Sequence, residues 1–248
     1  MQGQVVVITG ASGGIGAAVA ERAAGRGATV VLVARRAAPL QAVAARCGAT
    51  ALPIVADVTR REEVRRIVAE TLDRFGRLDV WINNVGQGIT RAPTALTDAD
   101  IDDMVLVNVK SALYGMQEVL PHFKERGTGQ VINVSSMLGR VPFAVIRSAY
   151  CGAKHFLNAL TATFRAEVQA THPDIQFTLV SPGVVRTDFG LNARHGGPDS
   201  RSFPESQSAE EVAEVIVDVI ESRRLDVYTR SGSQARVVGY YQDLGEDP

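Results

Sequence analysis

Short apolar runs alternate with longer amphipathic stretches along this chain. Runs rich in Val and Ile predict six strands, over residues 4–9, 29–34, 51–56, 80–83, 130–135 and 176–181. Stretches with apolar residues at helical spacing predict helices over 14–26, 39–46, 61–75, 98–126 and 149–171. The strand runs are nearly continuous in apolar residues, which is typical of strands covered on both faces.

A repeated strand–helix order implies right-handed crossovers and a parallel sheet. We therefore predict an α/β fold, a doubly wound, Rossmann-like parallel sheet with helices on both faces. A length of 248 residues suits one α/β domain, and no internal repeat or charge block indicates a linker. The prediction is a single domain over residues 1–248.

Cap residues and one aperiodic segment refine this picture. Thr97 and Ser208 each precede acidic residues where a helix is expected to begin, and Ser208 with Glu211 has the spacing of a capping box. Between residues 187 and 207 the periodicity fades around Gly196, Gly197 and Pro198. A loop of this length is typical of a lid or a binding segment, so we predict a substrate lid over 187–207.

Charge and cysteine content narrow the classes of partner. A net charge of −1 provides no excess of cations for a phosphate backbone, so we expect no nucleic-acid partner and a small-molecule substrate. The two cysteines indicate neither a disulfide framework nor a metal site, so no bound metal and a cytoplasmic location are expected. No apolar run approaches the length of a membrane span, so no membrane association is expected.

A glycine-rich turn directly follows the first predicted strand and opens the first predicted helix. Backbone N–H groups in such a turn can face a pyrophosphate, and glycine removes the Cβ atoms that would block its approach. The spacing differs from the common G-x-G-x-x-G pattern, and a turn that only tightens strand–helix packing is the alternative. The predicted phosphate-binding residues are Gly10, Ser12, Gly13, Gly14, Ile15 and Gly16.

The end of the second predicted strand indicates which coenzyme is used. An acid at this place commonly holds the adenosine ribose, whereas arginine accommodates a 2′-phosphate. Arg35 and Arg36 stand here without an acid, which favours NADP(H) over NAD(H). After the third strand, Asp57 is a candidate acceptor for the adenine amino group and Val58 its neighbour in the predicted coenzyme site, although Asp57 could instead cap the next helix.

Tyr150 and Lys154 lie four residues apart, which places both on one face of a helix. An ammonium beside a phenol favours the phenolate, so we expect a lowered pKa for Tyr150. Such a tyrosine can exchange a proton with a carbonyl or an alcohol. Because the same spacing recurs by chance in helices, a solvated surface pair is the alternative.

These motifs together resemble the short-chain dehydrogenase/reductase family from residue 4 to about residue 228. The glycine turn is similar to the family's coenzyme turn, and Asn83-Asn84-Val85-Gly86 to its Asn-Asn-Ala-Gly motif. The order is completed by the segment Ser135–Gly139, the pair Tyr150 and Lys154, and the segment from Pro182 to Thr187.

The resemblance implies a role for individual residues. Ser136 would bind the substrate oxygen, with Ser135 a weaker candidate; Tyr150 would exchange the proton, and Asn108 would hold a water behind Lys154. Lys154 would also bind the nicotinamide ribose, and Thr187 the carboxamide. The remaining coenzyme contacts implied by the resemblance are Asn84, Gly86, Pro182, Gly183 and Val185.

Three features depart from the family pattern. Val85 replaces an alanine, and the interval from Ser136 to Tyr150 is one residue longer than usual, so the loop over 140–148 is expected to be reshaped. The tail after Asp226 lacks the pattern that often closes tetrameric members, which leaves a homodimer or a homotetramer expected.

Several other residues have a reactive or a merely structural interpretation. Packing is favoured for Cys151 and His155, and an exposed loop position for His195. Arg147 could receive a substrate carboxylate or reach solvent, and both interpretations stay open. An apolar substrate pocket is predicted from Met137, Phe143, Ile146, Val185, Phe189 and Leu191.

The sequence thus predicts an NADP(H)-dependent oxidoreductase that interconverts an aldehyde or ketone with an alcohol. One alternative is a non-catalytic NADP(H)-binding sensor on the same fold. Another is an epimerase or dehydratase of nucleotide sugars, for whose additional substrate domain 248 residues leave little room.

Overall fold

Seven parallel strands form one sheet in the order β3-β2-β1-β4-β5-β6-β7. The computed structural model describes residues 1–244, so the last four residues of the predicted domain lie outside the described residues. Every strand pair in the sheet runs parallel. The strands are β1 Val5–Thr9, β2 Thr29–Ala34, β3 Leu52–Val55, β4 Val80–Asn83, β5 Gly129–Val134, β6 Ile175–Ser181 and β7 Asp226–Tyr228.

Helices cover both faces of this sheet, because side chains along each strand alternate between two apolar layers. Val6 and Ile8 pack with the layer that contains α1, α2 and α7, whereas Val5 and Val7 pack with the layer that contains α3, α5 and α6. The predicted doubly wound α/β fold is confirmed. The helices are α1 Gly14–Gly25, α2 Ala37–Cys47, α3 Arg61–Phe75, α4 Asp98–Val105, α5 Ser111–Arg126, α6 Ser148–Gln169, α7 Ala209–Ser222 and α8 Ser233–Gln242.

The predicted continuous helix over 98–126 is wrong in one respect. A π-helical turn, Leu106–Lys110, separates α4 from α5. This wider turn places Asn108 and Val109 on the buried side. Such turns occur frequently at functional sites because they change the direction of a side chain within an otherwise regular helix.

Two predicted helix starts are confirmed as capping boxes. The Thr97 side chain accepts from the Asp100 amide at the start of α4, and the Ser208 side chain accepts from the Glu211 amide at the start of α7. In both boxes the acid reaches back to the backbone of the cap residue. These reciprocal bonds satisfy backbone donors that the first helical turn leaves unpaired.

The strand order fixes the place where a ligand can enter. From β1 the chain proceeds to β2 and β3 on one side, whereas β4 lies on the other side of β1. The loops that follow β1 and β4 therefore diverge and leave a crevice at the carboxyl edge of the sheet, where doubly wound folds bind ligands. Within residues 1–244, no helix has both the length and the apolar character that crossing a membrane requires.

Candidate active site

The glycine-rich turn after β1 is shaped by its glycines. Gly10 and Gly14 adopt φ values of +70° and +54°, which most side chains disfavour. A Cβ on Gly16 would lie 2.4 Å from the Gly10 carbonyl oxygen and 2.6 Å from Asn84 Nδ2. The turn therefore needs glycine at position 16, where α1 packs directly onto the loops that follow β1 and β4.

The first turn of α1 is electrostatically suited to an anion. It contains no acidic residue, and Gly13 at the N-cap has no side chain that could accept from the backbone N–H groups. Unpaired N–H groups and the positive end of the helix dipole thus face the crevice beside β1. Such an arrangement fits a pyrophosphate.

Asn84 ties the glycine turn to the loop after β4. Its backbone N–H donates to Thr9 Oγ1 at 3.0 Å, and its Nδ2 donates to the Thr9 carbonyl at 3.0 Å. Thr9 Oγ1 in turn donates to the Ile82 carbonyl at 3.1 Å. These bonds hold the two walls of the crevice at a fixed separation, which gives Asn84 a structural task beside its predicted coenzyme contact.

Arg36 reaches the phosphate side of the glycine turn. Its Nη2 donates to Ser12 Oγ at 3.1 Å, and the same atom lies 3.5 Å from where a Cβ on Gly13 would stand. Arg35 and Arg36 are both exposed at the end of β2. The structure thus brings Arg36 and Ser12 together, whereas Arg35 stands beside them in solvent.

Asp57 does not cap α3, so that alternative is wrong. Its Oδ1 accepts from the Thr59 N–H at 3.0 Å and from Thr59 Oγ1 at 2.7 Å. The cap position of α3 is Arg60, three residues later. Asp57 therefore shapes the turn after β3, and the buried Val58 follows it in that turn.

Tyr150 and Lys154 are buried on the sheet-facing side of α6, so the solvated surface pair is excluded. Lys154 Nζ donates to the Val134 carbonyl of β5 at 3.0 Å and lies 5.8 Å from the centre of the Tyr150 ring. Ser136 lies close enough to the Tyr150 phenol to lower the pKa of that group. Three predicted catalytic residues therefore meet at the end of β5.

The lowered pKa that we expected for Tyr150 is wrong for the coenzyme-free protein. Burial raises the pKa of Tyr150 to about 12, and the nearby Ser136 opposes this rise. Burial likewise lowers the pKa of Lys154 to about 8. Both shifts have one physical cause, since a site withdrawn from water disfavours the charged form of either group.

Asn108 faces Lys154 across Gly86. Asn108 Oδ1 accepts from the Gln87 N–H at 3.1 Å, and its Nδ2 donates to the Gln87 carbonyl at 3.0 Å and to the Met104 carbonyl at 3.1 Å. A Cβ on Gly86 would lie 3.1 Å from Asn108 Oδ1 and 3.4 Å from Lys154 Nζ. Glycine at 86 therefore leaves the space between these two polar groups open.

The two serines after β5 have different surroundings. Ser135 Oγ donates to Asn158 Oδ1 at 2.5 Å, and Asn158 Nδ2 donates to the Gly139 carbonyl at 2.6 Å. Ser136 Oγ accepts from the Leu138 N–H at 3.1 Å and is close enough to the Tyr150 phenol to influence its pKa. Ser135 thus fixes α6 to the loop, and Ser136 is the serine that faces the tyrosine.

The segment after β6 closes the coenzyme side of the crevice. The Pro182 carbonyl accepts from the Met137 N–H at 2.8 Å, which joins the loops after β5 and β6. Val185 is buried and Gly183 is exposed. Thr187 approaches the glycine turn, since a Cβ on Gly14 would lie 3.2 Å from its Cγ2.

The segment over 187–207 lies against the loop after β4 on the side of Tyr150. The Thr90 N–H donates to the Arg194 carbonyl at 3.0 Å, and the Arg194 N–H donates to the Gly88 carbonyl at 2.8 Å. The Phe189 ring centre lies 5.5 Å from that of Tyr150. Phe189 of this segment therefore packs beside the Tyr150 ring.

A buried carboxylate fixes this segment to α4, and the sequence analysis missed it. Asp100 is fully buried; its Oδ2 accepts from Arg91 Nη1 at 2.8 Å and its Oδ1 from Arg194 Nε at 2.8 Å. His195 Nε2 lies 2.8 Å from the same Oδ1, although the His195 side chain is itself exposed, as predicted. These partners hold the pKa of Asp100 well below its usual range. Only the acid of the capping box was a signal in the sequence.

The remaining candidates divide between core and surface. Cys151 is buried, which confirms packing, and His155 Nδ1 lies 2.8 Å from the Cys151 carbonyl. Of the residues predicted to form an apolar pocket, Met137 and Val185 are buried, whereas Phe143, Ile146 and Leu191 are exposed. Arg236 of α8 lies over the Phe143 ring, with its Cζ atom 4.6 Å from the ring centre.

Comparisons with known proteins show the family to which this chain is related. The model of the short chain dehydrogenase family matches residues 4–196. The uncharacterized oxidoreductase YxnA of Bacillus subtilis is 33% identical over 96% of this chain and 68% of its own length. An uncharacterized oxidoreductase of Staphylococcus saprophyticus is 36% identical over 75% of this chain and 76% of its own length.

Solved structures share the fold. A short chain dehydrogenase/reductase from Burkholderia phymatum in complex with NAD matches with a TM-score of 0.90 and 23% identity, over 100% of this chain and 98% of that one. An alcohol dehydrogenase from Thermococcus sibiricus complexed with 5-hydroxy-NADP matches with a TM-score of 0.79 and 28% identity, over 93% and 97% of the two chains. By its family match and its relatives, this chain belongs to the short-chain dehydrogenase/reductase family of oxidoreductases.

Proposed function

We propose that this protein transfers a hydride between NADP(H) and a small carbonyl or alcohol, with Tyr150 as the proton donor or acceptor. The observation that carries the proposal is the group formed by the buried Tyr150, Lys154 and Asn108 and the half-buried Ser136, at the same edge of the sheet as the glycine-rich turn. A bound nicotinamide would supply or accept the hydride. The chain itself would orient the substrate and move the proton.

Each member of the group has a task that its surroundings support. The Ser136 hydroxyl lies near the phenol and can donate to a carbonyl oxygen, which would orient the substrate toward Tyr150. The phenol would then protonate that oxygen during reduction or accept its proton during oxidation. Tyr150 remains protonated at neutral pH because burial raises its pKa, which suits a proton donor in the reducing direction.

Lys154 and Asn108 would restore the proton on Tyr150. Lys154 Nζ is withdrawn from water and borders the space beside Gly86, as Asn108 Oδ1 does. A pKa of about 8 allows Lys154 to give and regain a proton near neutral pH. The open space beside Gly86 would admit the water that this relay requires.

The preference for NADP(H) rests on Arg36. Its guanidinium bonds Ser12 on the phosphate side of the crevice, and no acid stands at the end of β2 to hold a ribose hydroxyl. A guanidinium pairs strongly with a phosphate. Coenzyme titration by fluorescence should show at least about tenfold weaker NADPH binding in Arg36→Gln, with NADH binding unchanged. Arg74→Gln is the matched control, since Arg74 is exposed in the last turn of α3.

The catalytic part is tested with Tyr150→Phe in an assay of NADPH oxidation over a panel of aldehydes and ketones. We expect turnover to fall by at least about 100-fold while NADPH still binds, because proton transfer is lost and the coenzyme turn is untouched. Tyr240→Phe, in α8, is the control and should retain activity. Full activity in Tyr150→Phe would refute the assignment, and binding without turnover in the native protein would favour a coenzyme sensor.

A further inference from the structure

Arg147 stands at the entrance of α6, three residues before Tyr150, and is half-buried there. Its Nη1 donates to the Ile89 carbonyl at 3.1 Å. Among residues 1–244 no carboxylate lies within ion-pair distance of this guanidinium. A partly buried cation without a counter-ion loses hydration that the Ile89 carbonyl replaces only in part.

Two glycines make room for this side chain. A Cβ on Gly88 would lie 2.6 Å from Arg147 Nη1, and a Cβ on Gly197 would lie 2.9 Å from Arg147 Nη2. Gly88 belongs to the loop after β4 and Gly197 to the segment over 187–207. The guanidinium thus lies between the loop after β4 and the segment over 187–207, beside the predicted substrate site.

The same place lies next to the catalytic tyrosine. The Phe189 ring contacts the position of a Cβ on Gly88 at 3.1 Å, and its centre lies 5.5 Å from that of Tyr150. The positive charge is close enough to Tyr150 for the two groups to influence each other's pKa. A substrate that reaches Tyr150 would therefore pass within reach of Arg147.

Two hydroxyl groups near Arg147 also lack partners. Thr90 Oγ1 and Ser148 Oγ are buried atoms without a hydrogen-bond partner among the described residues. A Cβ on Gly197 would lie 2.9 Å from Thr90 Oγ1 and also 2.9 Å from Arg147 Nη2. Thr90 Oγ1 and Arg147 Nη2 are therefore separated by at most twice this distance. Buried hydroxyls without partners are uncommon and indicate a missing ligand or water.

We propose that Arg147 binds the carboxylate of the substrate, with Thr90 as a second donor, so that this protein acts on oxo acids and hydroxy acids. A carboxylate matches one guanidinium in charge and in its planar, two-point geometry, whereas a phosphate would bring nearly twice that charge. The inference rests on the proposed function and specifies its substrate class.

The reaction balances without a further reactant. In the reducing direction, hydride from NADPH adds to the carbonyl carbon of the oxo acid, and the Tyr150 proton adds to its oxygen. The products are a hydroxy acid and NADP+, and the carboxylate is unchanged. A proton from solvent returns to Tyr150 through Lys154.

The test compares substrates that differ only in charge. Oxo acids with the carbonyl at the second, third or fourth carbon, and the methyl ester of each, are assayed with NADPH and the native protein, Arg147→Met, Arg147→Lys and Arg46→Met. For at least one acid we expect kcat/KM to exceed that of its ester by about tenfold or more, the range of a hydrogen bond to a charged group. Arg147→Met should remove this preference by raising the KM of the acid more than that of the ester, Arg147→Lys should retain part of it, and Arg46→Met all of it.

The outcomes separate this inference from the proposed function. Turnover of esters without preference for any acid overturns the substrate class and leaves the oxidoreductase intact. An equal decrease in kcat/KM for acid and ester in Arg147→Met, with no recovery in Arg147→Lys, would mean that Arg147 only holds the loops together. Preference for a phosphorylated ketone over every oxo acid would also overturn the carboxylate. No turnover of any compound while NADPH binds would count against the proposed function itself.

A binding measurement gives a readout that does not depend on turnover. Calorimetric titration of a hydroxy acid into the NADP+ complex should show binding that weakens about tenfold or more in Arg147→Met. The corresponding hydroxy ester should bind both proteins alike. Equal binding of the acid to both proteins would contradict the inference.

Discussion

The buried hydroxyl of Thr161, a residue of α6, provides a test of how this helix is attached to the sheet. Thr161 is fully buried; its Oγ1 donates to the Leu157 carbonyl at 2.6 Å and accepts from Asn133 Nδ2 at 2.8 Å. Asn133 Oδ1 in turn accepts from Asn83 Nδ2 at 2.8 Å. Since Thr161 lies two helical turns after Lys154 on the same face, this network helps to position Lys154 over β5.

The substitution Thr161→Val removes the hydroxyl and nearly preserves shape. One amide hydrogen of Asn133 then loses its oxygen acceptor, and such an unsatisfied buried donor costs about 1–3 kcal/mol. For a chain of this size we expect the melting temperature to fall by about 2–12 °C.

Thr163→Val makes the same substitution on the same helix at an exposed position, where Oγ1 donates back to the Ala159 and Leu160 carbonyls of the same helix. Its effect should stay within about 0.5 kcal/mol. Urea denaturation followed by circular dichroism measures both variants. Equal stability of the two variants would refute the network, and a cycle with Asn133→Leu should show that the two positions are coupled.

Three further predictions concern the site and its cover. Because the folded pKa of Lys154, about 8, lies below its ordinary 10.5, the unfolded chain binds more protons at this residue between these values. Urea titrations should therefore show native stability rising with pH from about 8 to 9, a rise that Lys154→Met should lack; above pH 9 the thiols of Cys47 and Cys151, whose pKa burial raises to about 11, oppose it. Gly16→Ala should abolish NADPH binding in calorimetry, because its Cβ meets the Gly10 carbonyl, whereas Gly25→Ala, with no atom near its Cβ, should bind normally. Asp100→Asn should speed proteolysis within 187–207, because the negative charge that pairs with Arg194 is lost, while the exposed Asp102→Asn should not.

The sequence predicts the sheet well, because buried parallel strands leave a strong local pattern. Runs such as 5–9 and 29–34 are nearly all apolar, and turn residues bound them. The strand β7, Asp226–Tyr228, has only three residues, of which Val227 alone is fully buried, so no run marks it. The helix α8 was missed for a similar reason, since Ser233 is its only buried residue.

The site is predictable where chemistry requires a residue type and not where tertiary packing decides. Glycine at 16 and the pair Tyr150 and Lys154 follow from close approach and from helical spacing. The π-turn at Asn108 leaves no local signal, because the residues around it have ordinary helical character. The raised pKa of Tyr150 and the contacts of Asp100 depend on burial among distant segments, which no spacing within one segment reveals.

We expect Tyr150 to donate the proton when hydride passes from NADPH to a bound carbonyl. The most direct measurement uses NADPH deuterated at the transferable position of C4, incubated with the oxo-acid panel and either the native protein or Tyr150→Phe, followed by mass spectrometry of the alcohols formed. With the native protein we expect at least one alcohol to contain one deuterium on its carbinol carbon. With Tyr150→Phe we expect about 100-fold less labelled alcohol. Equal labelling by both proteins would contradict the role of Tyr150, and no labelled alcohol from the NADPH-bound native protein would contradict the proposed reaction.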